Sequence, residues 1–205
     1  MGGGGSQLVV DVNGASSFNA TTLGASLVAL PMASLNMTEK DSLVFMREEE
    51  KLAHDVYAQL DLRWGSGTRS FGNIANSEAT HTEAVRQLLL RYSVIDPASA
   101  ASGQFQNTVL QGLYNQLTTA GALSLIDAYK VGAAIEEIDM LDINKALIGI
   151  DNQDIMLVYQ NLLKGSRNHL RSYVGSLANQ GVTYLPLYMP VADYQLIITT
   201  PMERG

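Results

Sequence analysis

The sequence predicts an all-α fold: a four-helix bundle with one long crossover connection and a short extended segment at each end. Two observations lead to this prediction. Four long stretches carry apolar residues at helical spacing, about 100° per residue, and they follow one another as a helix pair, a long connection and a second helix pair. This order is typical of bundles in which a single connection crosses from one helix pair to the other.

Residues 1–36 are predicted to form a linker followed by an irregular N-terminal arm. The opening MGGGGS resembles a flexible linker added for expression, and a secretion signal could have preceded it. Residues 7–36 mix short β-prone runs with Gly, Ser and Asn, which favours an irregular cover over a helix. The sequence is therefore compatible with a cytoplasmic protein and with an exported protein whose signal has been removed.

Residues 37–178 are predicted to form the bundle. Thr38 of TEKD is expected to be the N-cap of a first helix that ends near Leu60. The second helix is expected over about 71–92, and Pro97 prevents its continuation. TVLQGLYNQLTTAG should form a short helix within the crossover. The third and fourth long helices are expected in ALSLIDAYKVGAAIEEIDMLDINKAL and NQDIMLVYQNLLKGSRNHLRSYVGSLANQG.

The C-terminal residues 179–205 are predicted to form an extended tail, because they are rich in Tyr, Val, Ile and Pro. Such a tail is expected to pack on the bundle or on a neighbouring subunit. The second alternative implies a homodimer.

Composition and charge exclude several classes of function. The chain has 205 residues, 46% of them hydrophobic, which is enough for one well-buried domain. A net charge of −7 without any Lys/Arg-rich run argues against nucleic acid or an anionic membrane surface as a partner. No apolar run approaches the roughly 20 residues that a membrane helix needs. Because there is no cysteine, any metal must be held by oxygen and nitrogen.

The second helix carries a carboxylate and an imidazole on its apolar face. In SEATH, Glu78 and His81 lie three residues apart and share a stripe with Ile74, Val85 and Leu88. The pair is therefore predicted to point into the bundle. A single Glu or His on such a face is more often a hydrogen-bonded core residue than a metal ligand, so the other helices must decide.

The first helix brings one glutamate of REEEKLAHDVY to the interior. Glu49 and Glu50 lie at the two margins of its apolar face. The neighbouring charged residues are expected in solvent: Glu48, Lys51 and Asp55.

The third and fourth helices add further inward-facing polar residues. On the third, Glu136 and Asp139 are predicted to face inward, whereas Glu137 is predicted to face solvent. On the fourth, His169 follows the apolar side. Two arginines beside it are expected to face water: Arg167 and Arg171.

Six inner-facing polar residues are therefore expected to converge: Glu50 (or Glu49), Glu78, His81, Glu136, Asp139 and His169. Two of the chain's three histidines belong to this set. Four buried carboxylates without cations would repel one another and take up protons. Two divalent metal ions would balance four carboxylates and two neutral imidazoles, and oxygen and nitrogen ligands suit iron or manganese, with zinc also suitable.

Several of these motifs resemble those of known families. Glu50, Ala53 and Tyr57 of EKLAHDVY match the first-helix pattern of ferritins and rubrerythrins, and this resemblance selects Glu50 over Glu49. EATH is similar to their second-helix Glu-x-x-His, and EEID to the rubrerythrin third helix. More closely, MREEEKLAHDVY, SEATH, KVGAAIEEID and GSRNHLRSY resemble an uncharacterised ferritin-like family, domain of unknown function 2202, over about residues 38–175.

The resemblance implies a ferritin-like bundle with a dinuclear iron centre that reacts with a small oxidant, oxygen or peroxide. Glu78 and Glu136 would bridge the two metals, while His81 and His169 would each bind one. An enzyme of this kind would need an external electron donor, because a chain without cysteine cannot carry an iron–thiolate domain. The alternative is a non-catalytic metal-binding structural or interaction module.

One position departs from the general pattern. The fourth helix of such bundles usually carries Glu-x-x-His, yet SRNH places Ser166 where that glutamate would be. Either Asp139 supplies the missing carboxylate from the third helix, or one metal position is open. The charge and inward direction of Asp139 favour the first alternative.

Overall fold

A computed structural model of the chain describes residues 8–10 and 16–204. Two short antiparallel strands, β1 (Leu8–Val10) and β2 (Ser16–Phe18), come first. Seven helices follow within the described residues: α1 (Ala20–Ala29), α2 (Met37–Trp64), α3 (Ser70–Arg91), α4 (Thr108–Gly121), α5 (Leu125–Leu147), α6 (Gln153–Asn179) and α7 (Val191–Ile198). The prediction of a mainly helical protein is confirmed.

The predicted elements differ from the observed ones mainly at the two ends. The four long helices and the short crossover helix occur where they were expected, as α2, α3, α5, α6 and α4. The irregular arm contains a regular helix, α1, and the tail expected to be extended contains α7. Part of the predicted arm, residues 1–7 and 11–15, lies outside the described residues.

Helix α2 begins one residue after Asn36, so the expected Thr38 cap is wrong. The Asn36 side chain accepts a hydrogen bond from the Glu39 N–H, and the Glu39 carboxylate accepts one from the Asn36 N–H. This reciprocal capping box satisfies backbone donors that have no partner within the helix. Glu39 also accepts from the backbone of Asp151 and Asn152. A single carboxylate therefore ties the start of α2 to the start of α6.

The four long helices lie against one another as two pairs. Helix α2 packs along α3 and α5 along α6, and the pairs meet through α2 with α5 and through α3 with α6. Strand β2 packs on α3 and α6, and α4 packs on α2 and α5. The inner faces of all four long helices therefore enclose one common interior. None of the helices in the described part of the chain is long and apolar enough to cross a membrane.

The crossover buries a face of α2 that was expected to be in solvent. Glu48, Lys51 and Asp55 are at most 8% exposed. Glu48 accepts hydrogen bonds from the N–H groups of Gln106 and Asn107. Lys51 donates to the Ala101 carbonyl, and Asp55 accepts from the Gly103 N–H. The predicted direction of these side chains on α2 holds, but a distant segment covers them.

The C-terminal segment buries Glu137 in the same way, which overturns its predicted exposure. Glu137 is 0% exposed. Its carboxylate accepts hydrogen bonds from the Tyr184 hydroxyl at 2.6 Å and from the backbone N–H groups of Leu187, Tyr188 and Met189 at 2.9, 2.7 and 2.9 Å. This buried charge holds the segment before α7 against α5.

The two arginines of α6 are also covered rather than free in water. Arg167 and Arg171 both donate to the Glu203 carboxylate, and Arg171 also donates to the carbonyls of Ile197 and Thr200. The segment that ends at Glu203 therefore folds back along α6.

Candidate metal centre

Two groups of potential metal ligands meet in the interior and share Glu78. The first contains Glu50, Glu78 and His81, and the second contains Glu78, Glu136 and His169. Each of the four long helices contributes: α2 carries Glu50, α3 carries Glu78 and His81, α5 carries Glu136 and α6 carries His169. All five residues are at most 2% exposed. Helical periodicity predicted this for Glu78, His81, Glu136 and His169, and the family resemblance predicted it for Glu50.

The two groups have nearly the same geometry. His81 Nδ1 lies 2.8 Å from Glu78 Oε2 and 3.5 Å from Glu50 Oε2. His169 Nδ1 lies 2.8 Å from Glu78 Oε1 and 3.6 Å from Glu136 Oε1. Each imidazole therefore faces one oxygen of the shared carboxylate and one oxygen of a separate glutamate.

These separations fit two divalent cations. Ligand atoms about 2.1 Å from one ion lie about 3 Å apart when the angle between them is near 90°. In the described residues, several buried atoms also lack a hydrogen-bond partner, among them Glu50 Oε1 and His169 Nδ1. His169 Nδ1 is close to Glu78 but not aligned with it for a hydrogen bond. Unpaired buried polar atoms are costly, so these carboxylates and imidazoles could hold metal ions.

The pKa values of these groups show how strongly they interact. Burial raises the pKa of Glu50 to about 7. Burial would also raise the pKa of Glu78, but the neighbouring charges of His81 and His169 outweigh this effect and lower the Glu78 pKa. Burial would lower the pKa of His169, yet Glu136 and Glu78 raise it to about 9. Without a cation, protons on the imidazoles therefore compensate the carboxylate charge.

The outer side of both imidazoles is held by two serines that the sequence analysis missed. Ser16 Oγ lies 3.1 Å from Nε2 of His81 and 3.1 Å from Nε2 of His169, and Ser77 Oγ lies 2.9 Å from Nε2 of His169. Ser77 immediately precedes Glu78 in SEATH, so its helical register could have revealed it. Ser16 comes from β2, and no sequence signal connected that arm with the site.

Gly165 allows this close approach. A Cβ atom at this position of α6 would lie 2.6 Å from His81 Cε1 and 2.6 Å from Ser16 Oγ. Both contacts are closer than carbon and oxygen atoms tolerate, so a side chain here would displace the imidazole or β2.

Tyr57 contacts the other end of the centre. Its hydroxyl donates a 2.6 Å hydrogen bond to Glu136 Oε1, and its ring packs against Tyr173 at a centroid distance of 5.4 Å. The hydroxyl fixes a carboxylate oxygen that also lies near His169. Tyr57 belongs to the first-helix pattern that resembles ferritins and rubrerythrins, but the sequence could not identify this contact.

Asp139, the sixth expected ligand, lies outside both groups. Its Oδ2 accepts a hydrogen bond from the Ser166 hydroxyl, and its Oδ1 has no partner. Burial, followed by the charges of Glu50 and Glu136, raises the Asp139 pKa well above its usual range. Asp139 is therefore near the centre without being part of it, and its role as a ligand stays a prediction.

Glu49, which the family pattern rejected as a ligand, is buried as well. It is 5% exposed, and neither carboxylate oxygen has a hydrogen-bond partner. Burial, together with the nearby charge of Asp139, raises its pKa well above 4.5. Glu49 and Asp139 line a cavity of about 10 Å³ between α2, α4 and α5. This volume has room for about one water-sized molecule.

Comparison with known proteins extends over most of the chain. The family model described as "Uncharacterized protein domain (DUF2202)" matches residues 39–201. "Uncharacterized protein MJ0754" of Methanocaldococcus jannaschii is 46% identical over 178 residues, which cover 86% of this chain and 95% of that protein. The crystal structure of hypothetical protein MJ0754 from Methanococcus jannaschii DSM 2661 matches with a TM-score of 0.82 at 44% identity, covering 85% of this chain and 99% of that chain.

Proposed function

The chain belongs to the uncharacterized DUF2202 family, and from the geometry of its buried carboxylates and imidazoles we propose that it is a dinuclear metal protein. Two divalent ions bind to Glu50, Glu78, His81, Glu136 and His169. Iron is the preferred metal, although manganese or zinc would suit the same oxygen and nitrogen donors. The protein acts in oxygen or peroxide chemistry as an oxidase, peroxidase or ferroxidase.

The observation that carries this proposal is the shared position of Glu78. Its two oxygens each lie 2.8 Å from a different imidazole, His81 and His169. Glu50 and Glu136 then complete the two groups at 3.5 and 3.6 Å from the same imidazoles. A carboxylate placed in this way would hold both ions, one at each oxygen, whereas a set of unrelated core residues would have no reason to repeat one geometry.

The distribution of the proposed ligands over the four long helices supports a ferritin-like architecture. Each pair of long helices supplies one imidazole, on α3 and α6, and one separate glutamate, on α2 and α5. Ferritin-like bundles also build their dinuclear centres from the inner faces of four helices. The expected second bridge by Glu136 has weaker support, because only one of its oxygens lies near an imidazole.

Charge balance gives Asp139 a part in the site. Glu50, Glu78 and Glu136 carry three negative charges, whereas two divalent ions carry four positive charges. Asp139 would supply the fourth negative charge, and its Oδ1 has no hydrogen-bond partner. We propose that it binds the same metal as His169. Ser166 donates to Oδ2 and holds the carboxylate in place.

The chemistry depends on what the protein side chains position. Bound iron would supply electrons to oxygen or peroxide when an external donor has reduced it. Tyr57 holds Glu136 through a 2.6 Å hydrogen bond, and Glu49 and Asp139 border the small cavity beside the centre. That cavity, of about 10 Å³, has room for about one water-sized molecule, which would suit a small oxidant.

A second candidate is a structural role, in which the bound metal only stabilises the fold. The burial of every proposed ligand, Asp139 included, to 6% exposure or less favours it, because structural metal sites are closed. Anaerobic loading with ferrous iron followed by oxygen or peroxide distinguishes the two functions. Rapid oxidation of the bound iron with repeated turnover supports the enzyme, and iron that stays ferrous supports the structural role.

Metal analysis tests the proposed site itself. Protein from iron- and manganese-supplemented cultures should contain two metal ions per chain. A double variant in which Glu78 and His81 are both changed to Ala should lose most of the metal, since each of the two ligand groups loses at least one ligand. Glu83→Gln is the matched control, because Glu83 is also on α3 but pairs with Arg86 at the surface. Full metal content in the double variant would refute the site.

A second set of variants tests the role of Asp139. Asp139→Asn should leave one metal bound and weaken the second, and Ser166→Glu should partly restore binding in that background. Two fully occupied metal positions in Asp139→Asn, located by anomalous scattering, would show that Asp139 only supports the site and is not a ligand.

A further inference from the structure

We propose that Ser16 is a positioning residue for both metal sites, an inference that rests on the proposed function. Its single hydroxyl accepts a hydrogen bond from the Nε2–H group of His81 and of His169. Both imidazoles are thereby fixed with Nδ1 directed at the carboxylates. The N-terminal strand β2, which lies outside the residues matched by the family model, thus forms one wall of the centre.

The hydrogen-bonding capacity of Ser16 matches its surroundings. A serine hydroxyl offers one donor and two acceptor positions. Ser16 Oγ has three polar neighbours, His81 Nε2, His169 Nε2 and Ser77 Oγ, each at 3.1 Å. If both imidazoles donate, the two acceptor positions of Ser16 Oγ are filled. Ser16 is 0% exposed, so no bulk water competes for these positions.

The hydrogen bonds of Ser77 identify His169 as a donor. The Ser77 hydroxyl donates its only proton to the Ser16 carbonyl. Ser77 Oγ must therefore accept from any other partner, and it lies 2.9 Å from His169 Nε2. The proton of that contact belongs to the imidazole, and this one Nε2–H group is shared between Ser77 Oγ and Ser16 Oγ. His169 consequently carries a proton on Nε2, which leaves Nδ1 as the metal-binding nitrogen of the neutral ring.

Packing holds Ser16 in reach of both rings. The imidazoles of His81 and His169 stack at a centroid distance of 5.4 Å with 19° between their planes, so both Nε2 atoms reach the same hydroxyl. Phe18, two residues along β2, packs its ring edge-on against His81 at 5.6 Å. The Phe18 N–H also donates to Thr80 on α3. Strand β2 is therefore anchored to the helix that carries Glu78 and His81.

A hydroxyl shared by two ligands has a testable consequence. Removing the hydrogen-bond partner of a metal-binding histidine typically lowers metal affinity about 10- to 100-fold. Because Ser16 contacts both histidines, Ser16→Ala should weaken both metal sites, whereas a residue that supports one ligand should weaken one. Zinc is a suitable probe, since it has no redox chemistry and gives sharp NMR spectra.

The control is Ser17→Ala. Ser17 is the next residue of the same strand, and successive side chains of a strand point to opposite faces. Competitive zinc titrations should give wild-type affinity for Ser17→Ala and about 10- to 100-fold weaker binding at both sites for Ser16→Ala. Wild-type affinity at both sites in Ser16→Ala would overturn the proposal.

Proton NMR of ¹⁵N-histidine-labelled protein provides a readout that does not require metal. Wild type and Ser17→Ala should show two slowly exchanging Nε2–H protons, both with and without zinc, and Ser16→Ala should lose this protection. Rapid exchange of both Nε2–H protons in the wild type would overturn the proposal even if Ser16→Ala did not fold. Protected Nε2–H protons in a wild type that binds no metal would refute the proposed function but leave the hydrogen-bonding role of Ser16 intact.

Discussion

Adjacent glutamates on α5 should have separable roles, which Glu136→Gln and Glu137→Gln can reveal. Glu136 faces His169 in the candidate metal centre, whereas Glu137 holds the C-terminal segment. Glu136→Gln should lower the metal content, because it removes a ligand charge, and leave the C-terminal segment in place. Glu137→Gln should release the segment and leave the metal content unchanged.

The size of the second effect follows from the hydrogen bonds of Glu137. Glutamine can keep its carbonyl oxygen near the N–H groups of Leu187, Tyr188 and Met189, which lie 2.7–2.9 Å from Glu137 Oε2. Each of these three bonds loses the assistance of a charged acceptor, about 1 kcal/mol per bond. The free energy of opening this segment should therefore fall by about 2–3 kcal/mol, which corresponds to about 30- to 150-fold faster exchange of these amides.

Amide hydrogen exchange by NMR and elemental analysis measure the two effects in the same samples. The reasoning fails if Glu137→Gln loses metal while Glu136→Gln accelerates exchange at residues 187–189, because that pattern would shift the register of α5 by one residue. It also fails if exchange at these amides does not change in Glu137→Gln, since the buried carboxylate would then contribute nothing to docking.

Three further substitutions test other contacts. Gly165→Ala should displace His81 and lower the melting temperature, with a cost of about 1–3 kcal/mol from overpacking. Tyr57→Phe removes the 2.6 Å hydrogen bond to Glu136, and zinc titration should show about tenfold weaker binding at that site alone. Burial would raise the pKa of Glu39, but hydrogen bonds to the carboxylate outweigh it and lower the pKa below 4.5. The charged carboxylate therefore stabilises the folded protein above pH 4.5. This contribution is lost as the pH falls through the lowered pKa. Urea unfolding of Glu39→Gln should therefore show a loss of about 1–2 kcal/mol at pH 7 that shrinks in acid.

The sequence by itself determined the long helices and the direction of their side chains. Helical periodicity is a local property, so the inward placement of Glu78, His81, Glu136 and His169 could be read from each helix separately. For the first helix it left Glu49 and Glu50 as alternatives, and only the family resemblance selected Glu50. The structure brings these five residues together as two groups. The prediction succeeded here because the four apolar faces must be buried against one another.

Only the tertiary structure decided what covers the other faces. Periodicity gave the outward direction of Glu48 and Glu137 correctly, but it carries no information about distant segments that fold over them, and both are buried. The same reason hid Ser16, which reaches two histidines from 65 and 153 residues away along the chain. The C-terminal helix α7 was missed because eight residues rich in β-branched and aromatic side chains adopt a helix when long-range contacts favour it.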